Sequence, residues 1–182
     1  MNILLIVPGY NDIGHWSGVT EKRIDRAVEL VAGMDGLKLC VFSAGFSKKS
    51  PRQSTKTKRV SLAGQMTEYL RTKDPTGAIT IYHKPLGWGT LSELVWAIRI
   101  AENEFNFSDD ISNDILVIVV SSGDHLPRIR RYGKWIIPKA WWTQYYAIDH
   151  KLNEPWKERF KFWKDFPKLV WYRLKTIIGF PL

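Results

Sequence analysis

Two side chains in the second half of the chain could carry chemistry, the imidazole of His125 and the guanidinium of Arg128. Because they are three residues apart, one face of a helix would present both. The imidazole titrates near neutral pH and could act as a general acid or base. The guanidinium could bind a phosphate or carboxylate through two hydrogen bonds. Structural roles are also open, namely a histidine bonded to the neighbouring turn and an arginine in a surface ion pair.

The residues around this pair indicate where it lies in the fold. Residues 115–120 are all apolar and mostly β-branched, which is typical of a buried strand in a parallel sheet. The small residues Ser121 and Ser122 follow, and a helix is then predicted with Asp124 as its cap and Pro127 in its first turn. A strand that ends in small residues before a helix lets the backbone approach a ligand and favours anions.

The rest of the chain alternates predicted strands and helices, and this order indicates the fold class. Apolar runs at residues 2–7, 37–42 and 78–82 predict strands, with helical spacing of apolar residues between them. We therefore expect an α/β fold: a Rossmann-like three-layer sandwich with a mostly parallel central sheet of about five strands and helices on both faces. Residues 134–138 are predicted to form a further strand, and the aromatic residues 141–148 have an ambiguous pattern.

Two threonines are predicted to cap helices. Thr20 would cap the first helix, and Thr90 would cap the third. Glu93, three residues after Thr90, would complete a capping box.

The carboxyl ends of the predicted strands are expected to form the floor of a ligand crevice, as in other open α/β sheets. Four of these ends are rich in glycine or other small residues. Arg23 lies on the first helix near the same edge, although a plain solvated charge is the alternative there. The ligand contacts predicted at this edge are Pro8, Gly9, Arg23, Ser43, Ala44, Gly45, Gly89, Thr90, Ser121, Ser122, Asp124 and Arg128.

The composition limits the class of protein. A chain of 182 residues with 45% hydrophobic content suits one α/β domain with a substantial core. Cys40 is the only cysteine and lies in an apolar run, so we expect a buried structural thiol and no internal disulfide. No signal peptide or membrane span is visible in the sequence, which favours a cytoplasmic protein.

The formal net charge of +9 is concentrated at residues 48–59 and in the tail that begins at Lys151. Nucleic acid, anionic lipid or an anionic small molecule could use this charge, and a solvated basic surface would also explain it. Nucleic acid is the least favoured partner, because no recognition motif is present. The sequence also lacks a dinucleotide fingerprint, a Walker loop and a nucleophile elbow, and its four histidines lack metal-ligand spacing. No metal site is therefore predicted.

Residues 151–182 are predicted to be a basic, aromatic, helical extension of an α/β domain that spans residues 1–150. Its helices are expected to be interrupted at Pro155, Pro167 and Pro181.

Two uses of this extension are open. Trp156, Phe160 and Trp163 form one helical stripe, for which packing against the sheet is favoured. After Pro167, basic residues alternate with large apolar ones, and this part fits a membrane interface and the core equally well.

Several of these segments, taken in order, resemble the YdcF/SanA-like family, a SAM-binding-protein-like domain of unknown function. The resemblance covers residues 2–140, and its most specific motif runs from Val120 to Arg128. Ala44 and Ser121 stand where the family has Gly and Thr, so the chain resembles a divergent member. The matching segments are Pro8-Gly9, Arg23-Ile-Asp-Arg-Ala27-Val-Glu-Leu30, Ser43-Ala44-Gly45, Gly89-Thr90-Leu-Ser92-Glu93 and Val120-Ser121-Ser122-Gly-Asp-His125-Leu-Pro-Arg128.

The resemblance implies a Rossmann-like fold and adds Glu93 to the predicted site. It also implies a ligand at the carboxyl ends of the strands, an anionic small molecule such as S-adenosylmethionine or a nucleotide, without specifying a reaction. S-adenosylmethionine is accordingly the cofactor to test. The alternative is a peripheral membrane protein of envelope or polysaccharide metabolism that acts on a phosphorylated lipid carrier.

Overall fold

The computed structural model describes residues 1–9, 11–12, 15–16, 18–43, 61–84, 89–105, 114–149 and 155–178. Its strands are β1 (Asn2–Ile6), β2 (Asn11–Asp12), β3 (His15–Trp16), β4 (Lys38–Phe42), β5 (Ile79–His83), β6 (Ile115–Ser122) and β7 (Trp142–Ile148). Its helices are α1 (Gly18–Val31), α2 (Leu62–Lys73), α3 (Thr90–Glu104), α4 (Leu126–Ile136) and α5 (Pro155–Ile178). The predicted site residues Ala44 and Gly45 and the basic segment 48–59 lie outside these described residues.

Five of the strands form one parallel sheet in the order β5-β4-β1-β6-β7, and β2 and β3 form a separate antiparallel pair. The predicted α/β class, a Rossmann-like sandwich, is confirmed. The chain moves outward from β1 through β4 to β5, then returns to the other side of β1 at β6. The direction of winding therefore reverses between β1 and β6, and ligands of such sheets bind at the carboxyl ends next to this reversal.

Alternate residues of the central strands divide the core into two layers. Ile3, Leu5 and Ile118 pack with helices α1 and α2 on one face of the sheet. Leu4 and Val117 pack with α3 and α4 on the other face. Strand β6 contributes side chains to both layers. Its residues 115–120 are all apolar and all buried, so both faces of the strand lie in the core. Cys40 is buried among the residues of the first layer, and this burial raises the pKa of its thiol.

The prediction of a strand at residues 134–138 is wrong. Residues 134–136 are the last turn of α4, and the fifth strand of the sheet is β7 instead. Ile129, Tyr132 and Ile136 recur at helical spacing and pack in the same layer of the core. The short apolar run at the end of α4 therefore continues a helix face.

The predicted caps are also corrected. Helix α1 begins at Gly18, so Thr20 lies inside it, and the residue before α4 is His125, so Asp124 belongs to the preceding turn. Helix α3 begins at Thr90, and its cap is Gly89, whose φ of 105° lies in the left-handed region that glycine tolerates. No side chain caps α3, so the capping box with Glu93 does not form. The hydroxyl of Thr90 instead accepts a hydrogen bond from Arg128.

The C-terminal segment forms a single helix, α5, that continues through Pro167 rather than breaking there. Leu169 is fully buried in the layer of α3 and α4, and Phe166 and Tyr172 pack against the same layer. Phe160 and Trp163 are exposed, so they do not pack against the sheet as expected, while the side chain of Trp156 and the predicted interruption at Pro181 lie outside the described part of the chain. Among the described residues, no helix is both long and apolar enough to cross a membrane.

Candidate functional site

Arg23 joins the ends of the two strands where the winding reverses. Its Nη1 atom donates a hydrogen bond of 2.5 Å to the carbonyl oxygen of Pro8, just after β1. Its Nη2 atom donates one of 2.6 Å to the hydroxyl of Ser122, at the end of β6. Arg23 is fully buried. A guanidinium can bridge two acceptors in this way because its donors are held in a fixed planar fork.

A second polar network lies at the start of α3 and α4. The hydroxyl of Thr90 is 3.1 Å from Nε2 of His125, and the hydroxyl of Ser121 is 3.1 Å from Nδ1 of the same ring. Arg128 donates from Nη2 to the Thr90 hydroxyl over 3.1 Å, and the same nitrogen also contacts Nε2 of His125. Residues from β6, α3 and α4 therefore meet at one point beyond the carboxyl ends of the strands.

The hydrogen-bond partners of His125 indicate which tautomer its ring adopts. A guanidinium can only donate, so Nε2 of the imidazole accepts from Arg128. The remaining ring proton is then assigned to Nδ1, which donates to the Ser121 hydroxyl. Both ring nitrogens are thus engaged by protein groups, and His125 itself is buried. In this arrangement the ring positions Arg128 and Thr90.

Glu93 brings a titratable carboxyl group to the same region. Desolvation raises the pKa of this carboxyl from 4.5 to about 7, although the positive charges of Arg23 and Arg128 lower it. The backbone of Glu93 also bonds to Gly89 in the first turn of α3, and the residue as a whole remains partly accessible. A carboxyl group with such a pKa exchanges its proton near neutral pH, which suits it to general acid–base work.

The structure brings most of the predicted site residues to the same edge of the sheet. Pro8, Ser43, Ser121 and Ser122 lie at the ends of their strands, and Ser43 and the two serines of β6 are buried. Gly9 and Asp124 are partly accessible in the adjoining turns, and Gly89 is exposed before α3. The side chains that contact each other directly are those of Arg23, Thr90, Ser121, Ser122, His125 and Arg128.

Two properties of the site could not be inferred from its residue types. Arg23 was predicted near the edge as a ligand contact or a solvated charge, whereas it is a buried link between two strand ends. Glu93 entered the prediction only through the family resemblance, and its raised pKa depends on the packing around it. The helical position of Glu93, three residues after Thr90, was the only local signal that it faces the site.

The arrangement provides donors for an anion and a group for proton exchange. The partly buried guanidinium of Arg128, in the first turn of α4, could bind a phosphate or carboxylate. Among the described residues, no group of three or more His, Cys, Asp or Glu side chains could hold a metal ion.

Comparisons of the chain with protein-family models, curated proteins and solved structures found no match. The resemblance to the YdcF/SanA-like family therefore stays a prediction from the sequence motifs.

Proposed function

We propose that the carboxyl edge between β1 and β6 binds an anionic small molecule, with Arg128 as its main ligand. The observation that carries this proposal is the unequal use of the two arginines. Both arginines bond to neutral acceptors, but Arg23 is fully buried on Pro8 and Ser122, whereas Arg128 is only partly buried where it reaches Thr90 and His125. Arg128 can therefore exchange a neutral acceptor for an anion, and this exchange strengthens its hydrogen bonds.

The chemistry of the site favours a phosphate or carboxylate group on the ligand. A nucleotide offers a phosphate, and S-adenosylmethionine offers a carboxylate, so both classes suit a guanidinium beside a helix start. The motif from Val120 to Arg128, by which the chain resembles the YdcF/SanA-like family, supports the same two ligands.

In a reaction at this site, Glu93 is a better candidate than His125 for the general acid or base. The carboxyl of Glu93 has a pKa of about 7, which is matched to proton transfer at neutral pH. Nε2 of His125 is covered by Arg128 and Thr90, so it becomes available only when Arg128 turns toward a bound anion. In this proposal Glu93 exchanges a proton with the ligand or with water, and the catalytic role predicted for His125 is confined to the complex.

The alternative function, action on a phosphorylated lipid carrier in envelope or polysaccharide metabolism, would use the same anion site. It would also need a surface that holds the protein on a membrane.

Calorimetric titration of the full chain with inorganic phosphate, adenosine monophosphate and S-adenosylmethionine tests the proposal. At least one of these compounds should bind, and Arg128→Ala should weaken that binding about 10- to 100-fold, the equivalent of a lost charge-assisted hydrogen bond. Arg130→Ala is the matched control, because Arg130 is exposed on the same helix and stacks on Tyr145. Equal affinity in both variants, or binding of none of the three compounds, would reject this site.

A further inference from the structure

Helix α5 carries a row of large apolar side chains on its solvent side. Phe160, Trp163, Trp171 and Leu174 have exposed fractions of 66%, 66%, 59% and 46%. With 3.6 residues per turn, these four residues lie within an arc of about 80° and along about 21 Å of the helix. We call them the outer aromatic face of α5.

The opposite side of the same helix is anchored in the fold. Leu169 has no exposed surface, and Phe166 and Tyr172 pack against the layer of α3 and α4. Asp165 accepts a hydrogen bond of 2.8 Å from the hydroxyl of Tyr132 on α4. Among its described side chains, the helix therefore has two apolar sides, a buried one against the core and an exposed one opposite it. An ordinary amphipathic surface helix is polar on the side away from the core.

The side chains around the outer aromatic face are basic. Lys164 and Lys168 flank this face on α5 and are exposed, and Lys168 also forms an ion pair of 3.8 Å with Asp165. The neighbouring helix α4 exposes Arg131 and Lys134 and contains no acidic residue. Among the α5 side chains that the structure describes, the one carboxylate is that of Asp165, which accepts from Tyr132 and pairs with Lys168. The charge of this surface is therefore complementary to an anionic partner.

We propose that the outer aromatic face of α5 binds the surface of an anionic lipid bilayer, with the helix axis parallel to the membrane plane. Tryptophan and phenylalanine enter the boundary between headgroups and acyl chains, and lysine and arginine beside them attract anionic headgroups. A second copy of the chain fits this surface less well, because pairing two such faces would bring their lysines together. The bilayer contributes the opposite charge and an apolar layer at once.

Sedimentation with lipid vesicles tests this inference. The full-length protein should sediment with vesicles of phosphatidylcholine and phosphatidylglycerol and remain in the supernatant with pure phosphatidylcholine. Added salt should weaken the binding, since it screens the attraction to headgroups. The double variant Trp163→Ala/Trp171→Ala should partition to the anionic vesicles at least about tenfold more weakly, because it removes two interfacial side chains. Lys164→Glu should weaken partitioning at least about fivefold.

Each variant has a matched control on the other side of the molecule. Trp142 is 71% exposed and pairs in register with Leu116, whose side chain packs with α1 and α2, so it points away from the layer that holds α5. Trp142→Ala and the exposed α1 substitution Lys22→Glu should leave vesicle binding unchanged. The thermal midpoint of every variant is measured first, so that loss of fold is distinguished from loss of binding.

Three results would overturn the inference. One is the absence of binding to anionic vesicles by the full-length protein. Another is equal weakening by Trp142→Ala and by Trp163→Ala/Trp171→Ala. The third is a dimer in analytical ultracentrifugation that the double variant dissociates, which would assign the outer aromatic face to a second copy. Failure of this test leaves the anion site at Arg128 unaffected, because that site is measured with soluble compounds.

Discussion

The guanidinium of Arg23 and the hydroxyl of Ser122 are joined by a hydrogen bond of 2.6 Å across 99 residues of chain. A second bond from the same side chain reaches the carbonyl of Pro8. Helix α1 is thereby linked to the carboxyl ends of both β1 and β6, between which the sheet reverses its winding. This link fixes the floor of the candidate site, and it explains how an arginine can be fully buried, since charged groups in protein interiors need hydrogen-bond partners.

Replacing Arg23 should destabilise the fold. Arg23→Ala removes both bonds and leaves the Pro8 carbonyl and the Ser122 hydroxyl without this donor in a buried region. We expect the free energy of unfolding in urea to fall by about 3 kcal/mol. Arg26→Ala, which breaks an exposed pair with Glu29 on the same helix, should change it by less than about 1 kcal/mol. Similar losses in both variants would show that the bridge does not stabilise the sheet.

The raised pKa of Glu93 should make stability fall with increasing pH. Its value is about 7 in the folded protein and 4.5 ordinarily, so between these values the folded state holds a proton that the unfolded state has lost. The contribution of Glu93 is therefore most favourable below about pH 4.5 and is lost as the pH rises to about 7. Glu93→Gln should be more stable than the wild type at pH 8, by about 1–3 kcal/mol, and the gain should be smaller at pH 5. Urea unfolding at both pH values measures this gain in stability, and Glu29→Gln is the exposed control. A gain that is the same at pH 5 and pH 8 would contradict a raised pKa for Glu93.

Anion binding should depend on pH through the same carboxyl group. A bound anion near Glu93 disfavours its ionised form, so binding takes up a proton and should be tighter at pH 6 than at pH 8. Titration with inorganic phosphate in buffers of different ionisation enthalpy would measure the proton uptake. Inorganic phosphate itself loses a proton in this pH range, so the protein's share is the difference between variants: Glu93→Gln should take up fewer protons than the wild type, whereas His125→Gln should retain the wild-type uptake. The reverse pattern would assign the proton exchange to His125.

The hydroxyl of Thr90 should tune the affinity of Arg128 for an anion. It accepts a hydrogen bond from Arg128 and lies 3.1 Å from Nε2 of His125, so it helps to hold the guanidinium in place. Thr90→Val keeps the shape of the side chain and removes the acceptor. We expect affinity for phosphate to fall about three- to tenfold, the value of one ordinary hydrogen bond. Thr90→Ser should restore most of the affinity; a loss shared by both variants would indicate a packing effect instead.

Leu169 should contribute to the core although it lies in the C-terminal extension. It is fully buried in the layer of α3 and α4. Leu169→Ala should lower the free energy of unfolding by about 2–5 kcal/mol, as for other buried leucines. Leu174→Ala, at an exposed position of the same helix, should cost less than about 1 kcal/mol. Equal and small effects would show that α5 is attached only loosely to the α/β domain.

The class of the fold could be predicted because it depends on local patterns. Residues 115–120 are apolar without alternation, which only a strand buried on both faces explains well. Helical spacing between the strands then leaves few arrangements besides a parallel sheet. The short run at residues 134–138 was misassigned because a few apolar residues fit a strand and the end of a helix equally. The same applies to the caps, since a threonine near a helix start can bond to the helix or to another part of the protein.

The candidate site was predicted in position but not in its contacts. The carboxyl ends of parallel strands meet at one edge, so small residues after several strands were enough to indicate where a ligand could lie. The roles of the charged residues were decided by tertiary structure. Only the order of the strands brings Arg23 beside Ser122, and only the packing of α3 against α4 brings Thr90 to His125 and Arg128. The pKa of Glu93 likewise depends on how much water its neighbours exclude, because desolvation is set by atoms that are distant in the sequence.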